Sequence, residues 1–452
     1  MRKLENDLTK GNVVKQLVLF AVPFLLSNLI QSFYNVADML IVGRFCGTEG
    51  ISAVNNGGQV TFLMTNIVIG LSVGGTIIIA QYMGANDREA VNESISTLLI
   101  SLLVAALALT GIMLVAAPGI LTLIKTPAEA YVQAREYLLI TALGTIFIFG
   151  YNALSAIIRG MGDSKPPLYF VTIACVLNVF LDILLVGPLH MGAKGAAIAT
   201  IFSQAVSVIL CIIYLKKNNF SFDFKLKSFH FHKNRFSLLM KIGIPTSVQN
   251  VVTNISFLFL TAMVNSLGVE ASAAVGVVGK FNSLAILPAI AAGSSVSAMA
   301  AQNIGAGKIE RAKKTMYTGI ILAFSITIPI FILSNLFPGE IIGLFDDDPV
   351  MIQAGITYMR SFTFDYLIVP IFFCVNGIIT AAGFTGVSSA TGILSALGFR
   401  VPFAYLFGFV LNFGIFGIGL GAPVASIFST LIVVLFYLSG RWKKSKIVEH
   451  MA

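Results

Sequence analysis

Residues 177–188 read Leu-Asn-Val-Phe-Leu-Asp-Ile-Leu-Leu-Val-Gly-Pro. Apart from Asn178 and Asp182 the stretch is apolar, and it closes on a Gly-Pro break. Such a run belongs in a bilayer or in a deeply buried core. A carboxylate at the centre of a bilayer costs about 3 kcal/mol even on the lenient insertion scale, so it faces protein or water and usually has a function. How Asp182 is accommodated therefore decides what kind of chain this is.

The flanking sequence settles for the bilayer. Of 452 residues 57% are hydrophobic and only 11% charged, with a mean hydropathy of +0.90. A soluble core does not need so much apolar sequence; a polytopic membrane protein does. Charged or Gly/Pro-rich breaks divide the chain into twelve apolar segments of the ~20 residues or more that a crossing helix requires. The expected fold is thus an all-α membrane protein with twelve transmembrane helices. The charged N-terminus leads into a span with no small-residue cleavage site, which argues against a removable signal peptide. Cys46, Cys175, Cys211 and Cys374 are scattered and read as small buried residues, neither a disulfide framework nor a zinc site.

The net charge of +9 invites a nucleic-acid reading, but its distribution argues against one. Basic residues gather in alternate loops: Arg2, Lys3, Lys10 and Lys15; Lys216 to Lys241; Lys308, Arg311, Lys313 and Lys314; Arg441 to Lys446. The opposite loops carry few, and Asp346, Asp347 and Asp348 lie there. The positive-inside rule then puts both termini in the cytoplasm, with the chain in the cell inner (plasma) membrane. The partners expected are small organic compounds and the lipid bilayer, with no nucleic acid, and the chain acting as a monomer.

The two halves repeat. Gln81-Tyr-Met-Gly-Ala-Asn-Asp-Arg-Glu89 returns as Gln302-Asn-Ile-Gly-Ala-Gly-Lys-Ile-Glu310, Pro23 as Pro245, Gly47 as Gly268 and Pro127 as Pro349. Gly195-Ala196 and Ile201-Phe202-Ser203 return as Gly421-Ala422 and Ile427-Phe428-Ser429. Six spans per half give the copies the same orientation, as in transporters built from internal repeats, with the substrate path between the halves. The expected organisation is an N-lobe (1–215), a cytoplasmic basic linker (216–236) and a C-lobe (237–452), two pseudo-symmetric six-helix bundles.

Polar residues inside the spans form faces. In the first, Asn28, Gln31, Asn35 and Asp38 recur at steps of three, four and three, one side of a helix. Tyr34 lies one turn before Asp38, and Pro23 can bend the helix. Asn178 and Asp182 are four apart. Thr200 sits within Gly-Ala-Ala-Ile-Ala-Thr, whose small side chains permit close helix approach. Two carboxylates, an amide and a hydroxyl suit either a proton or a small hard cation such as Na+; the alternative is plain interhelical hydrogen bonding. The seventh span carries Gln249, Asn250, Thr253, Asn254 and Ser256 but no acid. Lys280 and Arg400 would line an anion-friendly cavity or snorkel to the interface, and Asp365 reads as interfacial. Gln31, Tyr34, Asn35, Gln249, Asn250, Thr253 and Lys280 are the substrate-cavity candidates. Residues 304–309 lack the first Gly and the Ser/Thr of a phosphate loop, His230 and His232 have no further metal ligands nearby, and no catalytic constellation stands out. The chain is expected to be neither an ATPase nor any other enzyme, without cofactor.

The combined motifs carry a family resemblance: P…N…Y-N-x-x-D-x-x-x-V-G in span one, the twin Q-x-x-G-A, L-N-x-x-L-D in span five and G-A-A-x-A-T-x-x-S-Q in span six. Together they resemble the multidrug and toxic compound extrusion (MATE) family over Val14 to Arg441. That resemblance implies two six-helix bundles around a V-shaped cleft and export of amphipathic, often cationic compounds by antiport against H+ or Na+. It implies a cation site of Asp38, Asn178, Asp182 and Thr200 with the Ala196 carbonyl, and Tyr137 hydrogen-bonded to the cluster. One branch of the family instead places a Glu in span seven and a deeper Asp in span ten; this chain has neither, which favours coupling in the first half. A lipid-linked oligosaccharide flippase of the same superfamily is the alternative.

Overall fold

In hydrocarbon every backbone N–H and C=O must be bonded within the protein, which leaves helices as the form available to apolar runs such as these. A computed structural model describes residues 6–447 except 219, 221, 223, 346 and 347; Arg2, Lys3, Asp346 and Asp347 lie outside the described residues. Among the described residues all regular structure is helical. Ten helices are long and apolar enough to cross a membrane, and a pair bent by 46° makes one more. The longest run, Val13–Gly84, is two helices joined at Gly47, whose φ of 63° and ψ of −156° are not helical. Dividing it there gives the twelve expected crossings.

We number them α1 (13–46), α2 (48–84), α3 (Arg88–Leu123), α4 (Ala128–Leu143 and Thr145–Gly160, the bent pair), α5 (Lys165–Val186) and α6 (Gly192–Lys217). In the second half they are α7 (Lys233–Asn265), α8 (Val269–Gly305), α9 (Ile309–Leu336), α10 (Pro349–Ala381), α11 (Thr385–Val410) and α12 (Gly414–Leu438). The breaks repeat as well as the helices. Gly268, the partner of Gly47, precedes α8 with φ 118° and ψ 171°, a region that a side chain all but forbids. Asp87 caps α3 by accepting from the Ala90 N–H at 3.0 Å, and Asp348 caps α10 by accepting from Val350 at 2.9 Å.

The chain gathers into two compact units. One holds Leu26–Ser247 with the described residues 6 and 7; the other holds Leu8–Leu25 with the described part of Val248–Ala452. The start of α1 is thus built into the second unit and the start of α7 into the first, and the repeated prolines Pro23 and Pro245 stand just before each crossover point. The expected linker, 216–236, also contributes to the first unit at its far end: Ser96 Oγ on α3 accepts from the His230 N–H at 2.7 Å, and Arg235 bonds Glu93 at 2.9 Å.

The twin Q-x-x-G-A motif gains a role here. In the second unit Gln302 Oε1 accepts from the Leu8 N–H at 3.0 Å, Lys308 Nζ donates to the Thr9 carbonyl at 2.9 Å, and Arg311 donates to the carbonyls of Lys10 and Gly11 at 2.7 and 2.8 Å. The second copy is a cradle for the N-terminal segment. Each unit has its own apolar core: Val42, Met64, Leu121, Leu138 and Ala196 belong to the first, and Leu260, Met359, Tyr366 and Ile418 to the second.

Candidate functional site

The polar face of α1 opens onto a cavity of about 620 Å³ in the first unit. Gln31, Tyr34, Asn35 and Asp38 line it, the positions that their helical spacing aligned. α4 adds Tyr137, α5 adds Asn178 and α6 adds Thr200. The structure therefore brings five of the six expected cation-site residues together, with Asp182 immediately behind the wall at 0% exposure. Ala196 is the exception. It is fully buried one turn before Thr200, in the apolar core rather than the cavity lining.

The hydrogen bonds stop short of the acids. Tyr34 Oη and Thr200 Oγ1 are 2.9 Å apart, tying α1 to α6, and Asn178 Nδ2 donates to Thr200 Oγ1 at 3.5 Å, tying α5 to α6. Yet Asp38 Oδ1, Asn178 Oδ1 and both carboxylate oxygens of Asp182 are buried and accept from no protein donor. The Asp38 and Asp182 carboxyls lie within hydrogen-bonding reach of each other. Two carboxylates are both acceptors, so such a pair closes only through a shared proton or an intervening cation. The donor set fits either ion.

Room for Tyr137 comes from Gly57 on α2: a Cβ there would stand 2.6 Å from Tyr137 Cδ1. Thr61 and Thr141, hydroxyl to hydroxyl at 3.1 Å, join α2 to α4 beside the cavity. The sequence reading missed the α2 contribution of Asn55, Gln59, Thr61 and Thr65, and Asn152 from α4. The steps of four from Asn55 to Gln59 and from Thr61 to Thr65 follow the same face rule that found α1.

The second-half candidates go elsewhere. Gln249, Asn250, Thr253 and Lys280 belong to the second unit and do not line this cavity. Gln249 packs against Gly392, where a Cβ would meet its Nε2 at 2.1 Å, and Lys280 is exposed. Two readings are revised. Asp365, taken as interfacial, is 5% exposed. Arg400 does not snorkel; its guanidinium turns inward, Nη1 donating to the buried Ser256 Oγ at 3.2 Å.

Twelve crossings in two repeated bundles, with polar groups grouped inside one of them, define a multi-pass membrane transporter. The profile of the MatE family matches residues 23–184 and again 245–406, the same register in both halves, and the chain belongs to that family. It is 32% identical to the probable multidrug resistance protein YpnP of Bacillus subtilis over 98% of both chains. To the probable multidrug resistance protein NorM of Thermotoga maritima it is 25% identical, over 96% of this chain and 94% of the other. A MOP superfamily transporter from Pyrococcus furiosus superposes with a TM-score of 0.90 at 23% identity, covering 98% of this chain and 99% of that one. An outward-facing multidrug resistance MATE family transporter gives 0.89 at 23% identity over 98% of both chains.

Proposed function

We propose that the protein exports amphipathic organic compounds from the cell by antiport against H+ or Na+, as a monomer in the plasma membrane with both termini cytoplasmic. The observation that carries this reading is the buried Asp38–Asp182 pair, whose oxygens lack protein donors and whose first member faces the cavity. With the site open outward, the pair takes up a cation; the altered bonding of α1 changes the cavity wall and favours release of the compound. The loaded protein turns to inward access, releases the cation and binds new cargo. One charge moving through 100 mV supplies ~2.3 kcal/mol, enough for roughly a fifty-fold gradient of cargo. Tyr34, Tyr137 and Phe62 give the cavity aromatic surface beside its amides, a combination that tolerates varied ligands.

The relatives with the highest identity are named for drug resistance, and the cavity presents acids and amides rather than the basic lining a lipid-linked sugar diphosphate would need. Export of small organic compounds is therefore the reading favoured over the flippase. In proteoliposomes with pH and Na+ gradients imposed separately, one gradient is expected to drive uptake or efflux of a fluorescent organic cation. Asp38→Asn and Asp182→Asn are each expected to reduce that driven flux to the level of protein-free vesicles. Full gradient-driven flux in folded Asp38→Asn would refute the assignment.

A further inference from the structure

The repeat has a consequence for the second unit. The register of the family match, which sets 245 against 23 and 406 against 184, places Arg400 opposite Asn178. The later register, Gly421-Ala422 against Gly195-Ala196, places Ser426 opposite Thr200. Asn178 and Thr200 flank the carboxyl pair of the first unit, and their counterparts also meet at a buried acid. Asp365, 5% exposed, lies on the one-turn 3-10 segment Thr363–Leu367 within α10. The Ser426 hydroxyl is within hydrogen-bonding reach of its carboxylate, and the Arg400 guanidinium is close enough to act on it electrostatically.

The guanidinium is held in place from several sides. Nη1 donates to Ser256 Oγ at 3.2 Å, and the group lies 4.7 Å over the Phe257 ring. Arg400 ends a π-helical stretch, Leu394–Arg400, that widens α11 at this point. The approach of α12 depends on Gly421, where a Cβ would stand 2.9 Å from the Arg400 carbonyl oxygen. Tyr358, Phe362 and Tyr366 stack in sequence along α10, their centroids 5.5 and 6.3 Å apart. Asp365 Oδ1 and Arg400 Nε are both buried without a protein hydrogen-bond partner, so charge compensation, rather than a saturated hydrogen-bond network, connects them.

We infer that Arg400 is a tethered cation: in the second unit it supplies, from the chain itself, the positive charge that the first unit takes from solution. Asp365 is then closed to free ions in the native protein, and the coupling stoichiometry is set by the first unit alone. Removing the guanidinium leaves a buried carboxylate uncompensated, and the position becomes a site for a proton or a small monovalent cation. This inference rests on the Asp38–Asp182 reading for its contrast between the halves, but the gain of a site does not.

The test is cation binding to the purified full-length protein, with radioactive Na+ and, separately, proton uptake by pH titration. Both are measured in an Asp38→Asn background. That background is expected to bind no Na+ and take up no exchangeable proton; adding Arg400→Gln is expected to restore one ion per chain. Adding Asp365→Asn as well is expected to abolish it, and Arg400→Lys, which keeps a tethered charge, is expected to show no gain. The arm that responds identifies the ion. A folded Asp38→Asn/Arg400→Gln protein that binds nothing overturns the proposal. Asp38→Asn alone retaining an ion that Asp365→Asn removes also overturns it, and that comparison leaves Arg400 untouched should its variants fail to fold. An ion retained by Asp38→Asn that Asp365→Asn leaves in place counts against the first-unit reading instead, with the Arg400→Gln increment still deciding this one.

Discussion

Single side chains in the cavity wall are placed by what lies opposite them. Tyr137 reaches the wall because Gly57 has no Cβ; adding one creates a 2.6 Å approach to the ring. Overpacking of this kind costs about 1–3 kcal/mol. Gly57→Ala is therefore expected to lower the thermal unfolding midpoint and, by pushing the ring into the cavity, to weaken binding of an organic cation measured by fluorescence. A variant as stable and as tight-binding as the native protein would show that the contact relaxes freely. Asp38, Tyr34 and Asn178 were legible in the sequence because polar residues at helical spacing in an apolar run have one common face. Gln249 and Asn250 satisfied the same rule, yet they sit in another unit. Spacing identifies a face; it does not say what the face meets.

At the scale of helices, the boundaries follow from local chemistry. Prolines open α10 and break the regular bonding inside α1 and α7, Asp87 and Asp348 cap their helices, and the first two crossings of each half meet at a matched glycine. No atom outside its own chain neighbours lies within 4 Å of a Cβ built on Gly47, so the cost of a side chain there is entirely backbone strain. Gly47→Ala is expected to destabilise the protein by about 1–3 kcal/mol, read as a lower denaturation midpoint in detergent, with Gly268→Ala behaving alike. No loss would mean that the α1–α2 junction adopts another geometry. The 3-10 turn in α10 and the π segments of α11 were not legible: no proline or glycine stands at Thr363–Leu367, and the interruptions follow from packing against α12.

At the scale of the molecule, the repeat in sequence is matched by a repeat in how chain segments are held. The cradle formed by Gln302, Lys308 and Arg311 fixes the N-terminal segment in the second unit, as α3 fixes the segment around His230 and Arg235 in the first. Charge-assisted hydrogen bonds contribute about 1.5–3 kcal/mol each. Arg311→Ala is accordingly expected to speed amide hydrogen exchange across residues 8–16 by about tenfold or more while leaving exchange within α5 and α6 unchanged. Unaltered protection of the segment would show that the remaining bonds suffice.

The sequence by itself determined the class of fold, the crossings, the internal repeat and the polar face of α1, because hydrophobic length, helical period and charge in loops are local quantities that a bilayer enforces residue by residue. Only the tertiary structure decided that Asp182 meets Asp38, that α2 completes the cavity, and that Arg400 turns inward to a buried acid. Those pairings join residues distant in the chain. Their partners are chosen by how closely helices approach and by which buried charges must be compensated, neither of which has a period that sequence alone can show.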